Sequence, residues 1–178
     1  MMLNFILAMA LAGLPAEGSQ PKEYVAALPA PHVAVAAGKP QSIKLRFRVS
    51  NGFHINSNMP HSAYLIPTKL SLSPPTDVGI GKITYPPGKD IALPFAPDEK
   101  LNVYSGEFAI SANVSSVRTA TPGQYKVHGE LSYQACNDRA CFPPKKLPVS
   151  FDVTVTKSRV AAEGTQPGAK PARSSPIN

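Results

Sequence analysis

Tyr125-Lys-Val127-His-Gly129-Glu-Leu131-Ser-Tyr133-Gln-Ala-Cys136-Asn-Asp-Arg-Ala-Cys141-Phe-Pro-Pro144-Lys-Lys-Leu147-Pro-Val149-Ser-Phe151-Asp-Val153-Thr-Val155 is the stretch that decides the fold. On the first arm every second residue is apolar apart from Gly129, and on the second Leu147, Val149, Phe151, Val153 and Val155 repeat the pattern. Period-two alternation on both sides of a short polar segment predicts an antiparallel hairpin with one buried face. Cys136 and Cys141, the only 2 cysteines of the chain, flank that segment. On the two arms they face each other with Cα atoms roughly 5.5 Å apart, which a disulfide spans. A bridge closing so small a loop removes little entropy from the unfolded chain and is a weak staple. Spacing alone therefore leaves two readings open, a permanent hairpin disulfide and a reversible pair. In the second reading a thiolate attacks, favoured by Arg139 and Lys145 and opposed by Asp138.

Outward from the hairpin, Ser42–Val49 alternates with Ile43, Leu45, Phe47 and Val49 on one side and Lys44, Arg46 and Arg48 on the other, and Asn51-Gly52 marks the turn that follows. Further strands are expected at Val33–Ala36, Thr68–Leu72, Ile80–Tyr85, Glu107–Val117, Gln124–Gln134 and Leu147–Thr156. Helical periodicity is absent from this region, and 20 prolines argue against long helices. Short strands punctuated by turn residues predict an all-β fold, an immunoglobulin-like antiparallel β-sandwich with a cysteine-bearing hairpin. Pro86–Ser105 reads as a long irregular loop, with four prolines and the exposed-looking Leu93 and Phe95. Loops of that length are often functional.

Residues 1–20 begin with an apolar run, Met1 to Gly13, followed by small residues that suit cleavage near Ala16. About twelve apolar residues are too few to span a bilayer, which needs roughly 20, and match a signal-peptide core. No cysteine follows the run, which argues against a lipid anchor, and no membrane span is expected in the mature chain. Residues 22–157 form one domain of ordinary size. Residues 158–178, rich in Ala, Gly, Pro and Ser, are expected to be disordered. The net charge of +7 is spread along the chain with no basic cluster interleaved with aromatics, so nucleic-acid binding has no support. A bacterial, periplasmic or secreted location follows, where disulfides persist.

Tyr133-Gln-Ala-Cys136-Asn-Asp-Arg-Ala-Cys141-Phe-Pro-Pro144, with strands on both sides and Gly52-Phe-His-Ile-Asn-Ser57 earlier, resembles the N-terminal periplasmic domain of the thiol:disulfide interchange protein DsbD. The resemblance covers about residues 30–156. It implies an immunoglobulin-like sandwich with a reversible cysteine pair that passes electrons from a thioredoxin-like donor to oxidised periplasmic proteins, among them cytochrome c maturation factors. It implies that Cys141 forms the mixed disulfide with partners and Cys136 resolves it. It implies a flexible cap loop with an aromatic tip, for which Phe95 is the counterpart by position, and a thiol–disulfide oxidoreductase activity without a cofactor. The pattern departs from the family in three ways. Four residues separate the cysteines where some members have five. The membrane and thioredoxin-like domains of the full-length form are not in this chain, so the donor would be a separate thioredoxin-like domain or membrane electron transporter. His54 and Asn56 stand roughly where tyrosines line the site in some members.

Two readings of other classes compete: a non-catalytic binding module with a structural disulfide, and a copper-binding sandwich. His54, Met59 and His61, with the cysteines, supply imidazole and soft sulfur, which suit Cu(I). Against this, Phe53 and Ile55 read as core with the polar positions between them facing solvent, and no resident metal is assigned. Tyr133 lies on the apolar face and reads as core. Gln134 points to the other face, beside the pair, as a candidate partner contact. His128 falls on the polar face. No phosphate loop, double cysteine zinc motif or Ser/His/Asp arrangement is present. Asn113-Val-Ser115 matches a glycosylation triplet, moot in a bacterial protein.

Overall fold

A computed structural model describes residues 23–93 and 96–157; the leader at 1–20 and the tail at 158–178 lie outside the described residues. Among these the chain forms β1 (Val25–Ala27), β2 (Val33–Ala36), β3 (Gln41–Val49), β4 (His54–Asn56), β5 (Lys69–Ser73), β6 (Val78–Thr84), β7 (Lys89–Leu93), β8 (Ala96–Tyr104), β9 (Glu107–Ser116), β10 (Gly123–Tyr133), β11 (Ala135–Cys136) and β12 (Lys145–Thr156). There is no helix among them.

Two four-stranded sheets, ordered β1-β3-β9-β6 and β2-β12-β10-β5, make the sandwich. All pairings are antiparallel except β2 with β12, which run parallel from Val33↔Val153 to Ala36↔Thr156. The alternation in β3 is realised residue for residue: Ile43, Leu45, Phe47 and Val49 are buried while the charged positions between them are exposed. Val127, Leu131 and Tyr133 of β10 and Val149, Phe151, Val153 and Val155 of β12 supply the other half of one continuous core. Fully burying each such side chain contributes about 1.5–3 kcal/mol relative to leaving it exposed.

The β10–β12 ladder runs in register from Gly123↔Val155 to Tyr133↔Lys145 and stops there. Pro143 and Pro144 have no N–H to donate, so the ladder cannot extend toward the cysteines. Gly129, the break in the apolar alternation, sits where β5 crosses closest: a Cβ there would strike the Ser71 carbonyl oxygen and lie 2.7 Å from Leu72 Cδ2. Gly129→Ala is expected to destabilise the fold by about 1–3 kcal/mol through overpacking. A urea midpoint equal to that of the wild type would contradict this close approach.

The third sheet, β11-β4-β8-β7, corrects the expected irregular loop at Pro86–Ser105. Most of that stretch is a hairpin, β7 against β8, with Lys89↔Val103 and Ile91↔Leu101 paired. Leu101 and Val103 are buried against Ile91 and Leu65 in a small satellite core. The prolines hid this alternation by falling before β7, at the tip, and next to the start of β8. The tip, residues 94 and 95, lies outside the described residues, and with it the position of Phe95. No described helix is long and apolar enough to cross a membrane.

Candidate functional site

Cys136 and Cys141 are joined by a disulfide, with Cα atoms 3.9 Å apart. They are not on the arms of the β10–β12 ladder but on a smaller hairpin beyond its end, and they sit closer than the expected 5.5 Å. Cys136 pairs directly with Cys141 across a two-residue bridge. Asn137 N–H donates to the Ala140 carbonyl at 2.9 Å, and Phe142 N–H donates to the Ala135 carbonyl at 2.8 Å. The Asn137 side chain shapes the turn: its Oδ1 accepts from Arg139 N–H at 2.9 Å and from Ala140 N–H at 3.0 Å. This is an Asx-type turn, in which a short polar side chain imitates the backbone. Sequence reasoning passed over Asn137, although Asn at the start of a polar four-residue loop is the signal for it.

The two cysteines differ in exposure. Cys136 is fully buried, at 0% exposure, while Cys141 is exposed. The difference follows from the strands: Cys136 belongs to β11 and is paired outward with His54 of β4, whereas Cys141 has only the bridge to Cys136.

β4 corrects the expectation that polar positions around Ile55 face solvent. His54 and Asn56 are 6% and 0% exposed. The reason is that β4 is paired on both edges, to β11 through Ala135↔Ile55 and to β8 through Ile55↔Tyr104. Cys136↔His54 are directly opposed, so their side chains share a face, with Cβ atoms about 4.5–5.5 Å apart. Asn56 alternates onto that same face.

Beside the disulfide, Gln134 and Asn56 clasp three segments. Asn56 Nδ2 donates to Gln134 Oε1 at 3.1 Å and to the Ile66 carbonyl at 3.0 Å. Gln134 Oε1 also accepts from Ile66 N–H at 3.3 Å, and its Nε2 donates to the Phe142 carbonyl at 3.3 Å. Gln134 is therefore engaged within the fold, joining the strand before Cys136 to the residue after Cys141. Phe142 is further held by rings: Tyr24 stacks on it at 5.0 Å between centroids, and Phe53 lies 4.8 Å from Tyr24. Tyr133 is fully buried and points its hydroxyl at Glu23 Oε2, 3.3 Å away. Burial, with the Glu23 charge adding to it, pushes the Tyr133 hydroxyl pKa up to about 12.

Burial holds the His54 imidazole below its ordinary pKa, with the Asp138 carboxylate pulling the other way. The unfolded chain takes up this proton first, near pH 6.5, so stability is present above that pH and falls as pH drops toward the folded-state value. Asp90, Glu107 and Asp152, each held low chiefly by a hydrogen-bonded neighbour, lose their contribution only in stronger acid. The urea midpoint is therefore expected to fall between about pH 7.5 and pH 5.5, and His54→Phe to flatten that fall. An equally steep fall in His54→Phe would assign it to another group.

The proposed copper ligands are dispersed among different tasks. His61 Nε2 lies 2.9 Å from Asp90 Oδ1, Met59 is 74% exposed, and both cysteine sulfurs are committed to each other. Among the described residues no three of His, Cys, Asp and Glu gather as a metal site. His128 is exposed.

The sequence profile described as "Thiol:disulfide interchange protein DsbD, N-terminal" matches residues 22–152. The chain belongs to the DsbD N-terminal domain family. Among solved structures it is similar to the DsbD N-terminal domain of Neisseria meningitidis in the reduced form, at 22% identity and a TM-score of 0.39, covering 64% of this chain and 76% of that one. It is also similar to the N-terminal periplasmic domain of ScsB from Proteus mirabilis, at 12% identity and a TM-score of 0.48, covering 71% of this chain and 44% of that one. No match is found among curated protein sequences. For a DsbD N-terminal domain, the cysteine pair and the sandwich are the expected features. His54, opposed to Cys136, and Asn56 lie on the disulfide's own face of the sheet.

Proposed function

We propose that this DsbD-type domain is a periplasmic thiol–disulfide exchange component, exported by the leader at 1–20, in which Cys141 forms mixed disulfides and Cys136 resolves them. The single observation that carries the reading is the unequal exposure of the two cysteines, with Cys141 exposed and Cys136 fully buried. A thiolate attacks along the axis of the sulfur–sulfur bond, so only an accessible sulfur can be joined to a protein partner. In the reduced state the Cys141 thiolate attacks a partner disulfide, and Cys136 then displaces the partner thiol. The two electrons of the dithiol pass to the partner. Resupply comes from a thioredoxin-like donor or a membrane electron transporter, and the acceptors are oxidised periplasmic proteins, including those of cytochrome c biogenesis. The loop ends are also held by contacts that do not involve the sulfurs, through Asn137, Gln134 and Phe142.

The test is redox equilibration against glutathione buffers with thiols counted by mass spectrometry. An exchanger equilibrates well above roughly −300 mV, below which structural disulfides lie. A pair that stays oxidised at strongly reducing potentials would sink the proposal and leave a binding module with a structural disulfide.

A further inference from the structure

From the ladder register, the burial of His54 and its unpartnered nitrogen, we infer that His54 is the proton acceptor for Cys136 when Cys136 resolves a mixed disulfide. The inference rests on the exchange reading and adds a residue to it. His54 and Cys136 are opposed across the β4–β11 pairing, on one face of the sheet. His54 is 6% exposed, and its Nε2 is one of three buried side-chain atoms without a hydrogen-bond partner among the described residues. A buried polar atom left unpaired is costly and calls for an explanation. In the oxidised protein Cys136 has no proton to offer. In the reduced protein its thiol is a donor on the face the imidazole shares, so the missing partner is supplied by the other redox state.

The electrostatics fit the task. A buried thiol is poorly ionised in apolar surroundings and needs a base to become a nucleophile. Burial keeps His54 neutral at neutral pH and thus able to accept a proton. Asp138, in the turn that follows Cys136, is the charge felt by the imidazole and stabilises its protonated form. On the β8 side Tyr104 is opposed to Ile55 and so falls on the other face, its hydroxyl engaged with Asn58 and with the Pro86 carbonyl at 3.1 Å. In the step itself the Cys136 thiol gives its proton to His54 Nε2 and the sulfur attacks Cys141 Sγ. The Cys136–Cys141 bond forms, the bond from Cys141 to the partner sulfur breaks, and the partner leaves as a thiolate that takes the imidazolium proton. The dithiol is oxidised and the partner disulfide reduced, with no other reactant.

The experiment uses the reduced protein and a stoichiometric aromatic disulfide, 5,5′-dithiobis(2-nitrobenzoate), in stopped flow. The first coloured thiolate reports attack by Cys141 and the second reports resolution by Cys136. His54→Phe and the more polar His54→Gln are compared with the wild type, each checked for folding by near-ultraviolet circular dichroism. The expected result is a second phase slowed relative to the first by about tenfold or more, with its pH midpoint raised. An unchanged ratio of phases and an unchanged midpoint in both variants would overturn the role of His54 while the exchange reading stands. A wild type that releases no second thiolate would overturn the exchange reading itself.

Discussion

Asn56→Leu is expected to lower the stability of the oxidised protein by about 1–3 kcal/mol. Asn56 is fully buried, and its amide donates to the Ile66 carbonyl and to Gln134 Oε1. Leucine fills the space but removes the donor, leaving the partly buried Ile66 carbonyl without this partner and Gln134 Oε1 with the Ile66 N–H alone. A buried acceptor left unsatisfied costs about 1–3 kcal/mol, and a partly buried one falls toward the low end. Loss of the Asn56 Oδ1, itself unpaired, offsets part of this. The damage should concentrate on the segment from Ser57 to Ile66 and on the disulfide hairpin, because those are the pieces the clasp joins. Urea unfolding with the disulfide verified by mass measures the total, and a loss below about 0.5 kcal/mol, the range of an ordinary surface change, would contradict it.

That prediction rests on a strand the sequence did not announce. β3 was legible because nothing disturbs its alternation: apolar Ile43 to Val49 bury on one side and basic residues solvate the other. β10 and β12 were legible for the same reason, and even the exception, Gly129, has a cause in the close passage of β5. β4 was not legible. It is three residues long and buried at every one of them, since strands flank both edges, so periodicity has no solvent face to register. Polar residues in such a strand look exposed in sequence and become a clasp and a buried imidazole in the fold. The β7–β8 hairpin was hidden differently, by prolines at its ends and tip that read as loop punctuation. Within the site, the cysteine pair was legible from its setting, and the burial of one sulfur was not. Access depends on β11 joining β4, a pairing between residues 54 and 136 that no local pattern encodes.

The second large effect is expected from the single cysteine variants. Cys141→Ser should abolish exchange with disulfide-bonded proteins, because the remaining sulfur is fully buried and has no route to a protein partner. Cys136→Ser should do the opposite: it keeps the exposed cysteine, so the first attack proceeds, and it removes the resolving thiol, so the product persists. A purely structural disulfide predicts no such asymmetry, since either substitution breaks the same bridge. Serine at either position is small enough to leave the Asn137 turn and the Phe142 ring contacts in place.

Capture of a mixed disulfide is therefore the most direct test of the account. Reduced Cys136→Ser and Cys141→Ser are each incubated with an oxidised thioredoxin-like protein, quenched in acid, and resolved by non-reducing electrophoresis and mass spectrometry. The account predicts a covalent, dithiothreitol-sensitive complex through Cys141 in the Cys136→Ser variant and none in the Cys141→Ser variant. Equal complexes in both variants, or no complex in either, would contradict it.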